Sequence, residues 1–301
     1  MQTIVTHSGS FDPDDVLAVA TVRMYLGENV EVIRSRVPEV IEKADWVLDV
    51  GGIFDPATNR FDHHQNGVPC RDNGVPYSAF GLVWRVYGAD VCGSVEVAAE
   101  IEDRLVLAID AADNHVTVCD AANPEVLPFE FFDVIDSFKP IWGSDETFDS
   151  EFFKAVDFAQ NLLTRLIAQA NGRRGMQQMI RMTYEQTEDK TVLVFEEPVA
   201  RHTLVGFHGV QVVVSPVPSL DITGWMAATV PSSIRGFHNQ ATFPETWAGL
   251  VDDELIAVSG IDGAVFCHKE RYVFVAKTKE AALQAAWAAI EHSSIDLDRL
   301  V

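Results

Sequence analysis

Cysteine is scarce and scattered in this chain. The four thiols, Cys70, Cys92, Cys119 and Cys267, include no pair at CxxC spacing, so neither a disulfide framework nor a zinc knuckle is indicated. No apolar run approaches the roughly 18 residues that cross a bilayer. The N-terminus has no basic region leading into an apolar stretch, so no secretory leader is read there. Together these absences give the expectation of a cytoplasmic protein with no membrane attachment. Basic residues are also few: 22 Lys and Arg stand against 45 Asp and Glu, a net charge of −23. Tight, sequence-independent binding of long duplex nucleic acid needs many cationic contacts to phosphate, and this balance argues against it. A short anionic substrate stays admissible, because bound divalent cations reverse the field locally. Internal repeats and low-complexity segments are absent as well.

What is present is an apolar fraction of 48% over 301 residues, enough for one large domain or two. Residues 2–6 read as a strand. A polar loop follows over 7–15, then a helix over 16–26 with Asp14 or Asp15 as candidate N-cap. A strand over 30–34, one or two helical turns over 38–44 and a strand over 46–50 complete an alternating pattern. That pattern indicates an α/β domain with a mainly parallel sheet flanked by helices. Further helices are expected over 78–87, from about 95 to 112, and over 151–167 and 173–186, the last two separated by a break at Asn171-Gly172. Pro124 and Pro128 interrupt the helical pattern. Phe129, Phe131, Phe132, Phe138 and Trp142 are expected to be core. After Thr191 come short strands (192–195, 210–214, 225–229, 264–267, 272–276) and two helices (252–258, 279–291). The expected organisation is a first domain over 1–188, ending in a helical connector, and a smaller α+β domain over 189–301.

In parallel α/β sheets, ligands bind at the carboxyl ends of the strands. His7, Asp12 and Asp14 follow the first strand, Asp49 ends the third, and Asp62-His63-His64 lies soon after. Topology thus brings to one rim residues that are far apart in sequence. Asp110-Ala111-Ala112-Asp113-Asn114 adds a pair of carboxylates on one side of a helix. Each member alone has an ordinary reading as a turn, cap, core or solvated residue. The set is better explained by a two-metal hydrolytic centre, which needs hard oxygen ligands, imidazoles and one shared carboxylate. His7 and Asp12 would hold one ion, Asp14, His63 and Asp110 the other, and Asp49 would bridge. Mixed Asp and His ligation without thiolate favours manganese or magnesium over structural zinc, and manganese is expected before magnesium. Two such ions would activate a water and polarise a phosphoryl oxygen. Asp62 is expected to orient His63, His64 to meet a phosphate oxygen, and Arg34 and Arg36 to assist with phosphate.

In this order, His7…Asp12-x-Asp14, Asp49, Asp62-His63-His64 and Asp110 resemble the motif set of the DHH phosphoesterase superfamily. Longer segments resemble more closely the Myg (melanocyte-proliferating-gene, UPF0160-like) family of metal-dependent hydrolases and exonucleases. They are Thr6-His7-x-Gly9-x-Phe11-x-x-Asp14, Arg34-x-Arg36, Asp49-Val50-Gly51-Gly52, Arg60-Phe61-Asp62-His63-His64-Gln65 and Asp110-Ala111-x-Asp113-Asn114. Pro244-Glu245-x-Trp247-x-Gly249-Leu250, Ser259-Gly260-Ile261-x-Gly263 and Phe266-x-His268 carry the resemblance into the second domain. It implies a DHH-type first domain, a DHHA1-like substrate-binding second domain, and 3′-to-5′ exonuclease action on short single-stranded RNA or DNA. Homo-oligomerisation is left open. The chain departs from the family pattern at Asp12, where relatives tend to have His, and at Phe274-Val275-Ala276, where relatives carry Gly-Gly-His. His268 and Lys269 are retained as candidate phosphate contacts. Two alternatives stand beside this reading: a small-molecule phosphohydrolase acting on pyrophosphate or a nucleotide, and a non-catalytic metal-binding interaction protein.

Overall fold

Residues 1–27, 29–117, 123, 125–126, 128–217, 223–233 and 238–298 are described in the computed structural model of this chain. Cys119 and Pro124 fall outside them. The structure is mixed α/β and divides into two units, Met1–Gly172 and Arg173–Val301.

The first unit begins with β1 (Gln2–Thr6), α1 (Pro13–Leu26), β2 (Val30–Arg34), α2 (Pro38–Lys43) and β3 (Trp46–Leu48). Two short strands follow, β4 (Phe54–Asp55) and β5 (Arg60–Phe61). Strand order is β2-β1-β3-β5-β4. Pairing is parallel except between β4 and β5, so the sheet is mixed. The chain leaves β1 for β2 on one side and returns across β1 to β3 on the other. Ile4, Trp46, Leu48 and Phe61 accordingly pack with α1 in the main core. Val5 and Val47 point to the other face and meet Val40 and Ile41 of α2 in a smaller one. This is the period-two alternation of a strand covered on both sides. The gap between β1 and β3 is therefore a topological switch point, where α/β sheets place ligands.

Strand β3 stops at Leu48, short of the 46–50 span expected, because Asp49 takes a left-handed backbone with φ +54°. Helix α1 is buried from Pro13 to Val22, as a helix apolar on all sides must be. Pro13 at its first position has the fixed φ a helix start requires, and Asp14 and Asp15 sit in its first turn, where carboxylates meet the positive end of the dipole. Helix α3 (Ala79–Cys92) packs on α1. The helix expected from 95 to 112 runs continuously from Val95 to Asp113, with a π-helical turn over Glu102–Val106 between α4 (Val95–Ile101) and α5 (Leu107–Asp113). After α6 (Phe131–Asp136), α7 runs unbroken over Phe148–Gln186. No break occurs at Asn171-Gly172; two glycines at ~1 kcal/mol each are outweighed by the helix formers around them. The aromatic stretch is not all core: Phe131 and Phe138 pack against it, but Phe129 and Trp142 are exposed.

The second unit carries β6 (Val192–Val194), β7 (Val212–Pro216), β8 (Trp225–Thr229), α8 (Asp252–Ser259), β9 (Ala264–Cys267), β10 (Val273–Ala276) and α9 (Lys279–Asp298). Sheet order is β6-β7-β8-β10-β9, with β6 and β7 parallel and the rest antiparallel. Alanines 281, 282, 285, 286 and 289 of α9 cover one face. Met176, Met179 and Ile180 pack on the other. No helix among the described residues is long and apolar enough to cross a membrane.

Candidate metal centre

The loops after β1, β3 and β5 and the start of α1 meet at the switch point. Nε2 of His7 lies 3.2 Å from Oδ2 of Asp49 and 3.2 Å from Oδ2 of Asp15. Nε2 of His63 lies 3.3 Å from Oδ1 of Asp49, 3.4 Å from Oδ2 of Asp113 and 3.6 Å from Oδ2 of Asp14. Asp49 thus turns one oxygen to each imidazole. Asp14, His63 and Asp113 form one group with metal-ligand spacing, and Asp49, His63 and His64 another. A cavity of about 550 Å³ opens on them, lined by His7, Asp12, Asp49, His63, His64 and Asp113 among others.

Four carboxylate oxygens here are buried, and their facing groups among the described residues are imidazole nitrogens 3.2–3.6 Å away: Asp14 Oδ2, Asp15 Oδ2, Asp49 Oδ1 and Asp113 Oδ2. Buried acceptors are almost always satisfied, and a cluster of hard anionic oxygens with imidazole nitrogens is the donor set that divalent cations take. The residues therefore fit a metal. Their protonation carries the same mark. Burial pushes Asp15 up to about 7 against the pull of His7. It pushes Asp113 up to about 6 against His63, with Asp49 adding repulsion. Asp14 is raised well above the carboxylate range by burial and by the charges of Asp49, Asp113 and Asp15. Burial would raise Asp49 too, but the facing His63 and His7 hold it low. Burial would lower the imidazoles, yet Asp49 and Asp15 hold His7 up, and Asp49 and Asp113 hold His63 up.

Not every expected residue joins the cluster in the expected role. Asp110 is engaged elsewhere. Its Oδ1 accepts from Ser78 Oγ at 2.5 Å and from the Gly81 amide at 3.2 Å, and its Oδ2 lies 2.6 Å from Arg71 Nη1. It thereby seats its charge on the first turn of α3, while Asp113, one turn on, faces His63. Asp62 meets His64 and not His63, the imidazole the sequence pattern assigns to it: its Oδ1 lies 2.7 Å from Nδ1 of His64, and its Oδ2 accepts from the Gly52 amide. Asp12 lies half-exposed at the mouth, 3.3 Å from Lys139 Nζ. Arg34 is spent internally: it donates to Asp149 and to the Gly9 carbonyl and stacks on Phe152. Arg36 is exposed and reaches the cavity. His268 and Lys269 belong to the second unit, on the turn between β9 and β10, where Nδ1 of His268 accepts from the Glu270 amide. Phe274 and Ala276 of β10 are fully buried strand residues.

Two more residues bear on the site. Asp15, by sequence a helix cap alone, accepts at Oδ1 from the Asp12 amide at 2.9 Å, but its Oδ2 faces His7. Arg71 carried no motif. It pairs with both Glu102 and Asp110 and stacks on Tyr77 with its guanidinium carbon 3.9 Å from the ring centre; the one available sign was an arginine shortly after the two histidines.

Comparison with known proteins places this arrangement in a family. The uncharacterised protein family UPF0160 matches over residues 3–290. A MYG1 protein of Chlamydia pneumoniae is 30% identical over 299 residues, covering 98% of this chain and 98% of that one. A MYG1 protein of Chlamydia muridarum is 31% identical over 292 residues, covering 94% and 95%. The human MYG1 exonuclease is 28% identical over 325 residues, covering 97% of this chain and 86% of that one. Matched across nearly its whole length, the chain belongs to the UPF0160 family, that of the MYG1 proteins.

Proposed function

We propose that this chain is a DHH-type phosphoesterase that uses two divalent cations, manganese before magnesium, to trim short single-stranded RNA or DNA from the 3′ end. The observation that carries the reading is the convergence of buried carboxylate oxygens of Asp14, Asp49 and Asp113 on Nε2 of His7 and His63, with no Lys or Arg nitrogen among the described residues in an ion pair with any of the three. These five residues would hold the metal, with Asp49 facing both imidazoles, Asp15 against His7 and Asp12 at the cavity mouth. Bound there, divalent ions supply an acidified water and neutralise phosphate charge.

The chain's own groups do the rest. Asp62 fixes the His64 ring through Nδ1, which leaves the Nε2 edge for a substrate. Attack of a water oxygen on phosphorus breaks the bond to the 3′ oxygen of the remaining strand; His64 would give that oxygen a proton, and the proton released by the attacking water would restore the imidazolium. Arg36 offers a fork to a phosphate oxygen. The exonuclease name borne by the human relative supports a nucleic-acid end as substrate. The second unit, with His268 and Lys269, is assigned to recognising it.

The test is an end-labelled oligonucleotide series with manganese, magnesium or chelator. Release of mononucleotides from short oligomers, stopped by chelator, is the expected result. Phosphate release from pyrophosphate with oligomers left intact would replace this reading with a small-molecule phosphohydrolase. Metal binding without turnover of either would replace it with a binding protein.

A further inference from the structure

A second cavity, of about 570 Å³, lies beside the metal centre on the α2 face of the first sheet. Helix α2 is only six residues long and leaves part of that face uncovered. The walls are mainly aliphatic: Ile41, Val47, Val50 and Ile53, with Arg36, Arg60 and the exposed Glu42 at the polar edges. Ile53 is half exposed at the rim. The two cavities adjoin. Arg36 lines both, and the consecutive residues Asp49 and Val50 line one each. The two arginines differ in what they have left to offer. Arg60 donates to the carbonyls of Ala44 and Thr58 at 2.9 Å each. Arg36 gives only its Nε, to the Ser8 carbonyl at 3.2 Å, and its terminal nitrogens make no hydrogen bond to any described residue.

An aliphatic slot of small-molecule size with a free guanidinium between it and an anion-binding centre suits one kind of ligand: a flat, weakly polar ring joined to a phosphate. We infer that this cavity holds the base of the terminal nucleotide, whose 5′-phosphate sits at the metal centre with Arg36 across the junction. The inference rests on the phosphoesterase reading and adds where the released nucleotide is gripped. Guanidinium and aliphatic faces pack against any base without reading its edge, so the grip discriminates nucleotide from plain phosphate and scarcely one base from another.

Calorimetric titration of the full chain with manganese tests this, using three probes: adenosine 5′-monophosphate, ribose 5-phosphate and inorganic phosphate. The expected result is adenosine 5′-monophosphate binding about tenfold or more tighter than ribose 5-phosphate, with cytidine 5′-monophosphate within a few-fold of the adenosine nucleotide. In Ile53→Glu, which alters a rim residue and no core packing, the ratio between adenosine 5′-monophosphate and ribose 5-phosphate should collapse toward one. Equal affinities of the two probes in the wild type, with phosphate bound, would overturn the base pocket and leave the phosphoesterase reading standing. Failure of all three probes to bind, together with no turnover of oligonucleotides, would overturn the phosphoesterase reading and the pocket with it.

Discussion

Nε2 of His63 stands 3.3 Å from Oδ1 of Asp49, and the two side chains are brought together by neighbouring strands: the Asp49 amide donates to the Phe61 carbonyl at 2.9 Å, two residues before His63. The pair is held by backbone hydrogen bonds and not by its own attraction. His63→Ala and Asp49→Asn should therefore each keep the fold. Each should lower oligonucleotide turnover and manganese affinity by roughly a hundredfold or more, since even groups that only support a ligand are worth ten- to a hundredfold. Circular dichroism with metal titration checks this; near-normal metal affinity in both variants would remove the pair from the centre.

Asp110 and Asp113 should separate cleanly. Asp110→Ala strands Arg71 and Ser78 in the interior, and breaking a buried pair costs about 3–5 kcal/mol. Asp113→Asn removes a carboxylate that only His63 and its like-charged neighbours face, so urea melts should move by less than about 1 kcal/mol, while metal affinity falls. Reversal of the two phenotypes would return Asp110 to the metal.

In chelator, stability should fall as pH rises from 5 to 8. Asp15, raised to about 7, and Asp113, raised to about 6, bind protons more tightly folded than unfolded. Their contribution is complete below the ordinary carboxylate range and disappears as pH climbs through these values. His7 and His63, raised as well, contribute below the ordinary histidine value and lose it at higher pH, which gives the same slope. Asp49, held low, acts only in acid, below this window. Excess manganese should flatten or invert the slope, because it binds the deprotonated groups. A melting temperature that rises with pH in chelator would contradict the electrostatics described.

Two glycines give a steric contrast. A Cβ on Gly81 would lie 1.9 Å from Oδ2 of Asp110, a carboxylate pinned by Arg71 and Ser78. Gly81→Ala should destabilise by about 1–3 kcal/mol. Gly172, inside α7, has no described atom within 4 Å of such a Cβ, and Gly172→Ala should stabilise by about 0.4–1 kcal/mol. Thermal melts of the two variants decide both.

Much of this was legible from the chain. Ile4 to Val5 and Trp46 to Leu48 alternate as strands covered on both faces do, and strand ends fix where His7, Asp14 and Asp49 gather. Other features depend on phase or on distant partners. A spacing of three residues puts Asp110 and Asp113 on one helix side, but which of them faces His63 is decided by the π-helical turn at Glu102–Val106 and by Arg71, a residue with no local signal. Adjacency of His63 and His64 likewise leaves open which imidazole Asp62 meets. Strands β4 and β5, two residues each, are too short to show a period. They exist because their neighbours leave backbone groups to pair.

The left-handed backbone of Asp49 has a consequence of another kind. An L-residue there costs about 1–2 kcal/mol that glycine would not. Selection of this protein for heat resistance alone would favour glycine at position 49 and would remove the carboxylate that both imidazoles share. Robustness and the shared carboxylate pull on one residue in opposite directions, so a hardened variant lacking Asp49 is the form that would survive heating without the group facing both His7 and His63.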